Sequence, residues 1–439
     1  MAIFAIPFPH LMPLIEADFQ ISLPNMKQIF PTESRVDVAL LTGGGDRPYA
    51  FGLTNELLSK GAALDLIGSD DLYFPEFDHD PGMNFLNLRG SLRPDASAVN
   101  KLSRVLLYYA RLIRYAATAK PKIFHILWNN KIDLFDRTLL TLYYRLLGKK
   151  VILTAHNVNK AKRDGTDSLL NRLTLHIQYR LSHHLFVHTE KMKAELIEDF
   201  GVPAAKITVI PFGINNSVPN TDLDQPEARR RLGIDANKKT LLFFGRIAPS
   251  KGLEYLTTAF QDILTRDQDC QLVVAGLPDR CAKYWAAIQE TIRGEVESGR
   301  ILVKTEFIPD DDTEIYFKAA DVLVLPYRDI FQSGVLFLGY SFGLPVLASD
   351  VGSLKDDIVE GETGFVFRPE DPAELAATIE KYFASDLFAN LNTRRQDIRH
   401  FAMQRHSWDV VGQMTMAVYA GLLPGRPLSA LSDRDLPAA

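Results

Sequence analysis

Cysteine is nearly absent from this sequence: Cys270 and Cys281 are the only two among 439 residues. Two cysteines provide neither a disulfide framework nor the paired spacing of a zinc site, and this usage is typical of a reducing cytosol. Long apolar runs are also missing, since none approaches the length of about 18 residues that a spanning helix needs. The sequence therefore predicts a cytoplasmic protein without a membrane-spanning helix.

A signal peptide is a third absence. The first 15 residues are apolar, but no basic segment precedes them and no clear cleavage site follows. We interpret residues 1–34 as an extension that packs on the first domain. The remaining length and the hydrophobic content of 46% predict a protein of two or more domains with large cores.

Acidic residues are scarce in one region of a chain whose net charge is −5. Residues 101–163 contain 14 lysines and arginines but only two aspartates. A predicted helix over 101–119 places four cations on one broad face: Lys101, Arg104, Arg111 and Arg114. Two interpretations are open. The face can lie on an anionic membrane, where each nearby cation contributes about 1 kcal/mol, or it can be a solvated helix face. No recognised motif supports nucleic-acid binding.

The first domain begins with an apolar strand over 35–41, followed by Gly43, Gly44 and Gly45. Three glycines let a ligand or a facing domain approach the backbone closely. The dinucleotide-binding fingerprint is not met. A later strand over 151–154 is followed by His156, and ligand-binding residues of open α/β sheets lie just past the carboxyl ends of strands.

Three further histidines, His183, His184 and His188, lie on or beside a predicted strand. His184 and His188 share one face of that strand, but no third ligand for a metal is evident. We interpret all three as structural. Thr189 is predicted to cap a helix over 190–200.

The second domain opens with an apolar strand that runs into Gly245 and Arg246, and Lys251 follows at a helix entrance. Two cations on a strand-end loop suit a diphosphate, because arginine gives bidentate bonds and lysine a point charge. Further on, the aspartate run Asp310–Asp312 precedes a predicted helix over 313–320. Acidic residues there cap free N–H groups, so we assign no metal to them.

The segment 325–371 is the most informative of the chain. It predicts a strand ending at Pro326, a loop ending at Ser333 and Gly334, a helix that stops at Gly343, and a buried strand. A strand-to-helix turn of small residues presents free N–H groups at the positive end of the helix dipole. This arrangement is a binding site for an anion, most often phosphate.

Pro326, Gly334, the run 343–346 and Gly352 together resemble the donor-binding end of the retaining glycosyltransferases of family 4 (glycosyl transferases group 1), which have the GT-B fold. The resemblance spans about 35–422, including the interdomain signature at 207–215 that ends the first domain. It implies an α/β protein with two Rossmann-like, doubly wound domains that face each other across a cleft. The implied parts are an acceptor domain (35–215), a donor domain (216–405), a helix crossing back to the first domain (406–424) and a loosely ordered tail (425–439).

The resemblance also implies roles for the residues singled out above. Arg246 and Lys251 would bind the diphosphate of a nucleotide sugar, and His156 would contact the transferred sugar. The remaining donor-binding positions are the glycine loop, the backbone that holds the base, and the amides of the phosphate-binding turn: Gly43, Gly44, Gly45, Phe307, Ser333, Gly334 and Val335. The family generally needs no bound metal, so no cofactor is expected beyond the nucleotide-sugar substrate.

One departure from the family pattern concerns a pair of glutamates that usually hold the donor sugar and the ribose. Ile330 and Leu338 occupy those two positions here. Asp329, one residue from the first position, can substitute for a glutamate or can be a solvated loop residue. Both interpretations are open.

These observations predict a retaining glycosyltransferase that moves a sugar from a nucleoside diphosphate to a hydroxyl of a glycan, a lipid-linked or a small-molecule acceptor. The expected setting is polysaccharide or glycoconjugate synthesis in the cytoplasm, with a peripheral location on the inner face of the plasma membrane through the basic region. The missing glutamates keep two alternatives open: a non-catalytic relative that binds sugar nucleotides, and a nucleotide-sugar epimerase.

Overall fold

The computed structural model describes residues 35–90, 98–163, 165–214 and 218–423. The predicted N-terminal extension, the tail over 425–439 and the junction between the two predicted domains at 215–216 lie outside these residues. The domain boundaries therefore stay predictions.

The first half of the chain builds one sheet of seven parallel strands in the order β3-β2-β1-β4-β5-β6-β7. Its strands are β1 (Asp37–Leu41), β2 (Ala63–Gly68), β3 (Met83–Asn87), β4 (Ile123–Ile126), β5 (Lys150–Thr154), β6 (His184–Val187) and β7 (Ile207–Val209). Its helices are α1 (Arg47–Ser59), α2 (Ala98–Thr118), α3 (Asp133–Phe135), α4 (Thr141–Leu146), α5 (Lys160–Arg163), α6 (Leu169–Leu181) and α7 (Glu190–Phe200). The strand order changes direction between β1 and β4, the place where open α/β sheets bind ligands.

The second half builds a sheet of six parallel strands in the order β10-β9-β8-β11-β12-β13. Its strands are β8 (Lys239–Phe244), β9 (Cys270–Ala275), β10 (Ile301–Lys304), β11 (Val322–Leu325), β12 (Val346–Ser349) and β13 (Gly364–Phe367). Its helices are α8 (Gln225–Leu232), α9 (Leu253–Leu264), α10 (Ala282–Thr291), α11 (Arg293–Glu297), α12 (Asp310–Ala319), α13 (Gly334–Ser341), α14 (Pro372–Phe383), α15 (Asp386–Ala389) and α16 (Leu391–Arg405). The central strands β9, β11 and β12 are buried along their whole length, as the continuous apolar runs of parallel strands predict.

The last helix, α17 (Trp408–Leu422), packs on the first domain, as predicted. Lys60 of α1 forms an ion pair with Asp409 (2.5 Å), and the Tyr419 hydroxyl is hydrogen-bonded to Nδ1 of the buried His125 (2.6 Å). The Trp408 indole donates to the carbonyl oxygen of Ile214 (2.8 Å). These contacts join α17 to the end of α1, to β4 and to the segment after β7.

Two local predictions are confirmed and one is corrected. Thr189 caps α7 by accepting from the amide of Met192, and Gly343 ends α13 with φ of +65°. The helix expected at 313–320 begins three residues earlier, so Asp310–Asp312 occupy its first turn and no side chain caps it. Their charge still suits the positive end of the helix. On α2, which carries the predicted cationic face, Leu106 and Ile113 are also exposed.

Candidate functional site

A cleft of about 1110 Å³ is lined by residues of both domains. From the first domain, the lining includes Asp46, Pro48, Tyr49, Trp128, Asn157 and Lys160; from the second, it includes Arg246, Lys251, Asp279, Tyr327, Arg328, Asp329, Ser333, Gly334, Val335 and Glu370. The structure therefore brings together the predicted cations and the predicted phosphate-binding turn. The volume is sufficient for a ligand larger than a typical drug molecule.

Arg246 and Lys251 lie on the loop between β8 and α9. The Arg246 guanidinium pairs with the carboxylate of Asp279 (3.0 Å), and Lys251 Nζ lies 3.7 Å from the centre of the Tyr327 ring. Gly252, at φ +61°, lets this loop approach β11, because a Cβ there would lie 1.9 Å from the Pro326 carbonyl oxygen. The two cations are held at the carboxyl end of the second sheet.

The predicted phosphate-binding turn lies beside these cations. Helix α13 begins at Gly334 directly after Ser333, and Val335 lies against Gly245 at the end of β8. The amides of a first helical turn have no partner within the helix, and the dipole makes that end positive. One wall of the cleft therefore combines two cations with free amide donors.

Ile330 and Leu338, at the two glutamate positions, both lie in the cleft lining with exposures of 9% and 7%. Asp329 is exposed and also lines the cleft. The wall where the family pattern places carboxylates is apolar here, apart from Asp329.

Glu370 is a further carboxylate of the donor half, and no sequence motif marked it. Glu370 lines the cleft, accepts from the Tyr255 hydroxyl (2.8 Å) and pairs with Arg328 (3.2 Å). Its φ of +59° is unusual for a residue other than glycine. Its place just past the end of β13 was the one signal that could have marked it.

The glycine loop does not line the cleft directly. A Cβ on Gly44 would meet the Arg89 guanidinium at 2.2 Å, and a Cβ on Gly45 would meet the Trp128 indole at 2.0 Å. Arg89 also donates to the carbonyl oxygen of Gly43 (2.7 Å). The loop instead packs closely against Trp128 and Arg89. The residues that follow it, Asp46 and Pro48, line the cleft.

His156 lies behind Trp128 rather than in the cleft lining. The two rings stack in parallel with centres 4.3 Å apart, and His156 lines a smaller neighbouring cavity. The predicted contact of His156 with the transferred sugar stays a prediction. Phe307 is 76% exposed, while its neighbour Ile308 lines the cleft.

His188, whose sequence position predicts a structural role, is hydrogen-bonded to His156. Burial lowers the pKa of His188 to about 4 and holds the pKa of His156 well below 6.5, so both rings are neutral near pH 7. The carbonyl oxygen of Ile210 can only accept, so the proton of His188 is on Nδ1 (3.3 Å). Its Nε2 then accepts from Nδ1 of His156 (3.0 Å). Nε2 of His156 is left as an acceptor with no partner among the described residues.

The first turns of α1 and α12 meet across the cleft. Arg47 pairs with Asp310 at 3.5 Å, which joins the two domains. Burial raises the pKa of Asp46, while the hydrogen bond from the Tyr49 amide opposes this shift. Across the described ranges, no three His, Cys, Asp or Glu side chains are grouped as a metal site.

Two family models match this chain. The model described as Glycosyltransferase Family 4 matches residues 43–218, and the model described as Glycosyl transferases group 1 matches residues 238–385. Together they include most of both sheets.

Curated relatives match over part of their length. An uncharacterised glycosyltransferase of Methanocaldococcus jannaschii is 29% identical over 239 residues, which are 53% of this chain and 58% of the relative. A D-inositol 3-phosphate glycosyltransferase of Corynebacterium efficiens is 27% identical over 250 residues, 54% of this chain and 58% of the relative. The chain thus spans less than two thirds of the length of these relatives.

Solved structures confirm the fold. Sucrose-phosphate synthase of Thermosynechococcus elongatus superposes with a TM-score of 0.69 at 20% identity, over 88% of this chain and 99% of that one. The Anabaena protein HepE in complex with UDP superposes with a TM-score of 0.67 at 16% identity, over 89% of this chain and 100% of that one. The two matched models and the two facing parallel sheets show that this chain belongs to the group 1, family 4 glycosyltransferases of the GT-B fold.

Proposed function

We propose that this chain is a retaining hexosyltransferase. It transfers a sugar from a nucleoside diphosphate sugar to a hydroxyl of an acceptor, in the synthesis of a polysaccharide or another glycoconjugate. The observation that carries the proposal is the donor wall: Arg246, Lys251 and the first turn of α13 line the same cleft. That arrangement matches the charge and shape of a diphosphate.

In the proposed reaction, the acceptor oxygen bonds to the anomeric carbon as the bond from that carbon to the phosphate oxygen breaks. The departing diphosphate keeps the electron pair and takes the hydroxyl proton, so no side chain has to act as a general base. Arg246 and Lys251 stabilise the charge that develops on the leaving group. In this proposal they replace a metal ion, and the substrate is the only nucleotide required.

The donor is expected to be a UDP-sugar. The Anabaena protein HepE, of the same fold, has been solved with UDP and with UDP-glucose. In the present chain, the sugar would lie beside an apolar wall, because Ile330 and Leu338 stand where the family pattern has glutamates. Its hydroxyls would be held by backbone amides, Asp329 or the Arg328–Glu370 pair.

The test is turnover by the purified full chain. UDP- and GDP-sugars are incubated with a lipid extract and with free sugars as acceptors, and release of the nucleotide is followed. Proton NMR of the product then compares the anomeric configuration with that of the donor. We expect one donor to be consumed with its configuration retained; inversion would contradict the proposed mechanism.

The same assay separates the two alternative functions. Tight binding of a sugar nucleotide without any turnover would favour a non-catalytic binding protein. Conversion of the donor to a second nucleotide sugar, without a transferred product, would favour an epimerase.

We also propose a partner surface on the first domain, formed by the outer sides of α2, α4 and α6 and the segment before α4. Apolar side chains with high exposure concentrate there: Leu102, Leu106, Leu107, Ile113, Ile132, Leu134, Leu139, Leu142, Leu146, Leu169, Leu170 and Leu173. The hydrogen bond from the Tyr143 hydroxyl to the Ile113 carbonyl (3.2 Å) ties α4 to α2. The surrounding 101–163 region carries 14 cations and two aspartates. Apolar side chains among cations fit an anionic lipid surface.

In the described part of the chain, no helix is long and apolar enough to cross a membrane. The contact that we propose is peripheral, and it would bring a lipid-linked acceptor to the first domain.

A further inference from the structure

A second cavity of about 280 Å³ lies in the first domain, at the carboxyl ends of β4 and β5. It adjoins the donor cleft, because Trp128, Asn157 and Lys160 line both spaces. The remaining wall includes Asn129, Arg137, Thr154, His156, Thr166, Asn171 and Gln178. We call it the side cavity.

Trp128 forms a fixed partition between the side cavity and the cleft. One side of its indole stacks on His156, and Gly45 packs so closely against the ring that a Cβ would lie 2.0 Å away. Tyr49 meets it edge to face with ring centres 5.6 Å apart. A side chain held from several directions forms a wall common to the two spaces, and Asn157 and Lys160 line both of them as well.

The polar groups of the side cavity retain unused hydrogen-bonding capacity. Asn129 and Gln178 exchange two hydrogen bonds, of 3.1 and 2.7 Å, which use one N–H of each amide. Each amide group still has a second N–H and a second acceptor lone pair. The Nε2 atom of His156 adds an acceptor, and the buried Nε of Arg137 adds a donor, neither of which has a partner among the described residues.

Charge inside the side cavity is largely compensated. Arg137 pairs with Asp133 at 2.9 Å and also donates to Asn171 at 2.8 Å. Lys160 is exposed and lines both the side cavity and the cleft. The interior therefore offers mixed donors and acceptors without a strong charge, next to an aromatic partition.

We infer that the side cavity binds the acceptor, and that the bound part is an uncharged polyhydroxyl ring the size of a monosaccharide. Each hydroxyl of such a ring both donates and accepts, which matches the mixed wall. The cavity is somewhat smaller than sites for drug-sized ligands, as one ring requires. In this inference its reacting hydroxyl faces the donor sugar on the side of Asn157 and Lys160, which line both spaces. This inference rests on the proposed transferase function and names its substrate class.

The test uses the full chain saturated with UDP and four probes: D-glucose, D-mannose, myo-inositol and, as a charged comparison, D-glucose 6-phosphate. Saturation-transfer NMR measures binding to the wild type and to Gln178→Met, which keeps the side-chain length but removes the amide. We expect at least one uncharged probe to bind and Gln178→Met to weaken it at least tenfold. In turnover assays, the same variant should raise the acceptor KM with a smaller change in kcat.

A second variant, Thr166→Trp, narrows the side cavity from an exposed loop. It provides an independent test if Gln178→Met does not fold. It should weaken binding of the same probe. The affinity for UDP, measured by calorimetry, should stay within a factor of two of the wild-type value in both variants. Binding of the phosphorylated probe alone, binding by no probe, or binding unaffected by both variants would overturn the inference. If UDP-sugars are still turned over in that case, the proposed function stands. Failure of the wild type to bind any UDP-sugar would instead remove the proposed function.

Discussion

The cations of the donor wall already have partners in the unliganded chain. Arg246 pairs with Asp279 at the cleft edge, and Lys251 lies over the Tyr327 ring. Both side chains of the Arg246–Asp279 pair are largely exposed, so the pair adds little to stability. A diphosphate carries more charge than one carboxylate, and it can therefore displace Asp279 from Arg246.

Removing the Asp279 carboxylate, which competes with the diphosphate for Arg246, should therefore strengthen nucleotide binding. Asp279→Asn should strengthen binding of UDP by about two- to fivefold, because an exposed ion pair of up to roughly 1 kcal/mol no longer has to be broken. Calorimetry with UDP measures it. Asp262→Asn, which removes a partner of the remote Arg266, is the matched control and should leave affinity unchanged. A weaker affinity in Asp279→Asn would show instead that Asp279 positions the guanidinium for the ligand.

At the scale of elements, α17 is fixed to α1 through an unusually close contact. Gly52 lies against Trp408, and a Cβ at that position would come within 2.1 Å of the indole. Gly213, in the segment between the two sheets, meets the same indole at 2.2 Å. The helix that crosses between domains therefore depends on two positions without a side chain.

Two helical glycines make a matched pair for testing this contact. Gly52→Ala should lower the free energy of unfolding by about 1–3 kcal/mol, because overpacking against Trp408 outweighs the better helix propensity of alanine. A Cβ added at Gly294 in α11 would meet no atom within 4 Å. Gly294→Ala should therefore be neutral or raise the free energy of unfolding by up to about 1 kcal/mol. Urea unfolding of both variants provides the comparison. Equal effects at the two sites would contradict the packing account of α17.

The exposed apolar side chains on the outer sides of α2 and α4 predict binding to anionic membranes. The full chain should sediment with phosphatidylglycerol vesicles but not with phosphatidylcholine vesicles, and added salt should weaken the association. Leu106→Glu with Leu107→Glu should abolish it, because two charges replace the apolar contact. Val296→Glu with Met403→Glu alters two exposed apolar positions of the second domain and should have no effect. Binding that survives the first double variant would place any membrane contact elsewhere.

The elements were more predictable than the contacts between them. Strand-end motifs fixed Arg246, Lys251 and the turn at Gly334 correctly in one wall, since parallel strands bring their carboxyl ends to one edge. The position of His156 was not predictable, because the Trp128 ring that covers it comes from another strand end and shows no local signal. Glu370 was missed for the same reason: its neighbours Tyr255 and Arg328 are distant in sequence. The neighbours of His156 and Glu370 depend on side-chain packing between distant strand ends. The hydrophobic periodicity of the sequence does not encode that packing.

At the scale of the whole molecule, buried histidines make stability depend on pH. Burial lowers the pKa of His125 to about 3 and lowers the pKa values of four others to about 4: His183, His184, His188 and His406. Each binds a proton more tightly in the unfolded chain, where the pKa is near 6.5. Their contribution to stability is thus complete above about pH 6.5 and is lost as the pH falls toward 4.

The melting temperature should therefore fall by several degrees between pH 7.5 and pH 5, with a cost on the order of 1 kcal/mol for each histidine. Asp357 acts in the opposite direction, because burial raises its pKa to about 7 and its carboxylate is destabilising when ionised. Asp357→Asn should accordingly raise the melting temperature at pH 7.5 more than at pH 5. Scanning fluorimetry across this range gives both values, and a flat profile would contradict the buried, neutral state of the histidines.

The central claim is that Arg246 and Lys251 hold a nucleoside diphosphate in the cleft, and titration calorimetry with UDP and GDP tests it most directly. Loss of charge-assisted bonds worth about 1.5–3 kcal/mol each predicts that Arg246→Ala with Lys251→Ala weakens binding by at least 100-fold. Arg266→Ala, an exposed arginine beyond the far end of α9, should bind as the wild type does. Unchanged affinity in the double variant would show that the diphosphate is not bound where this account places it.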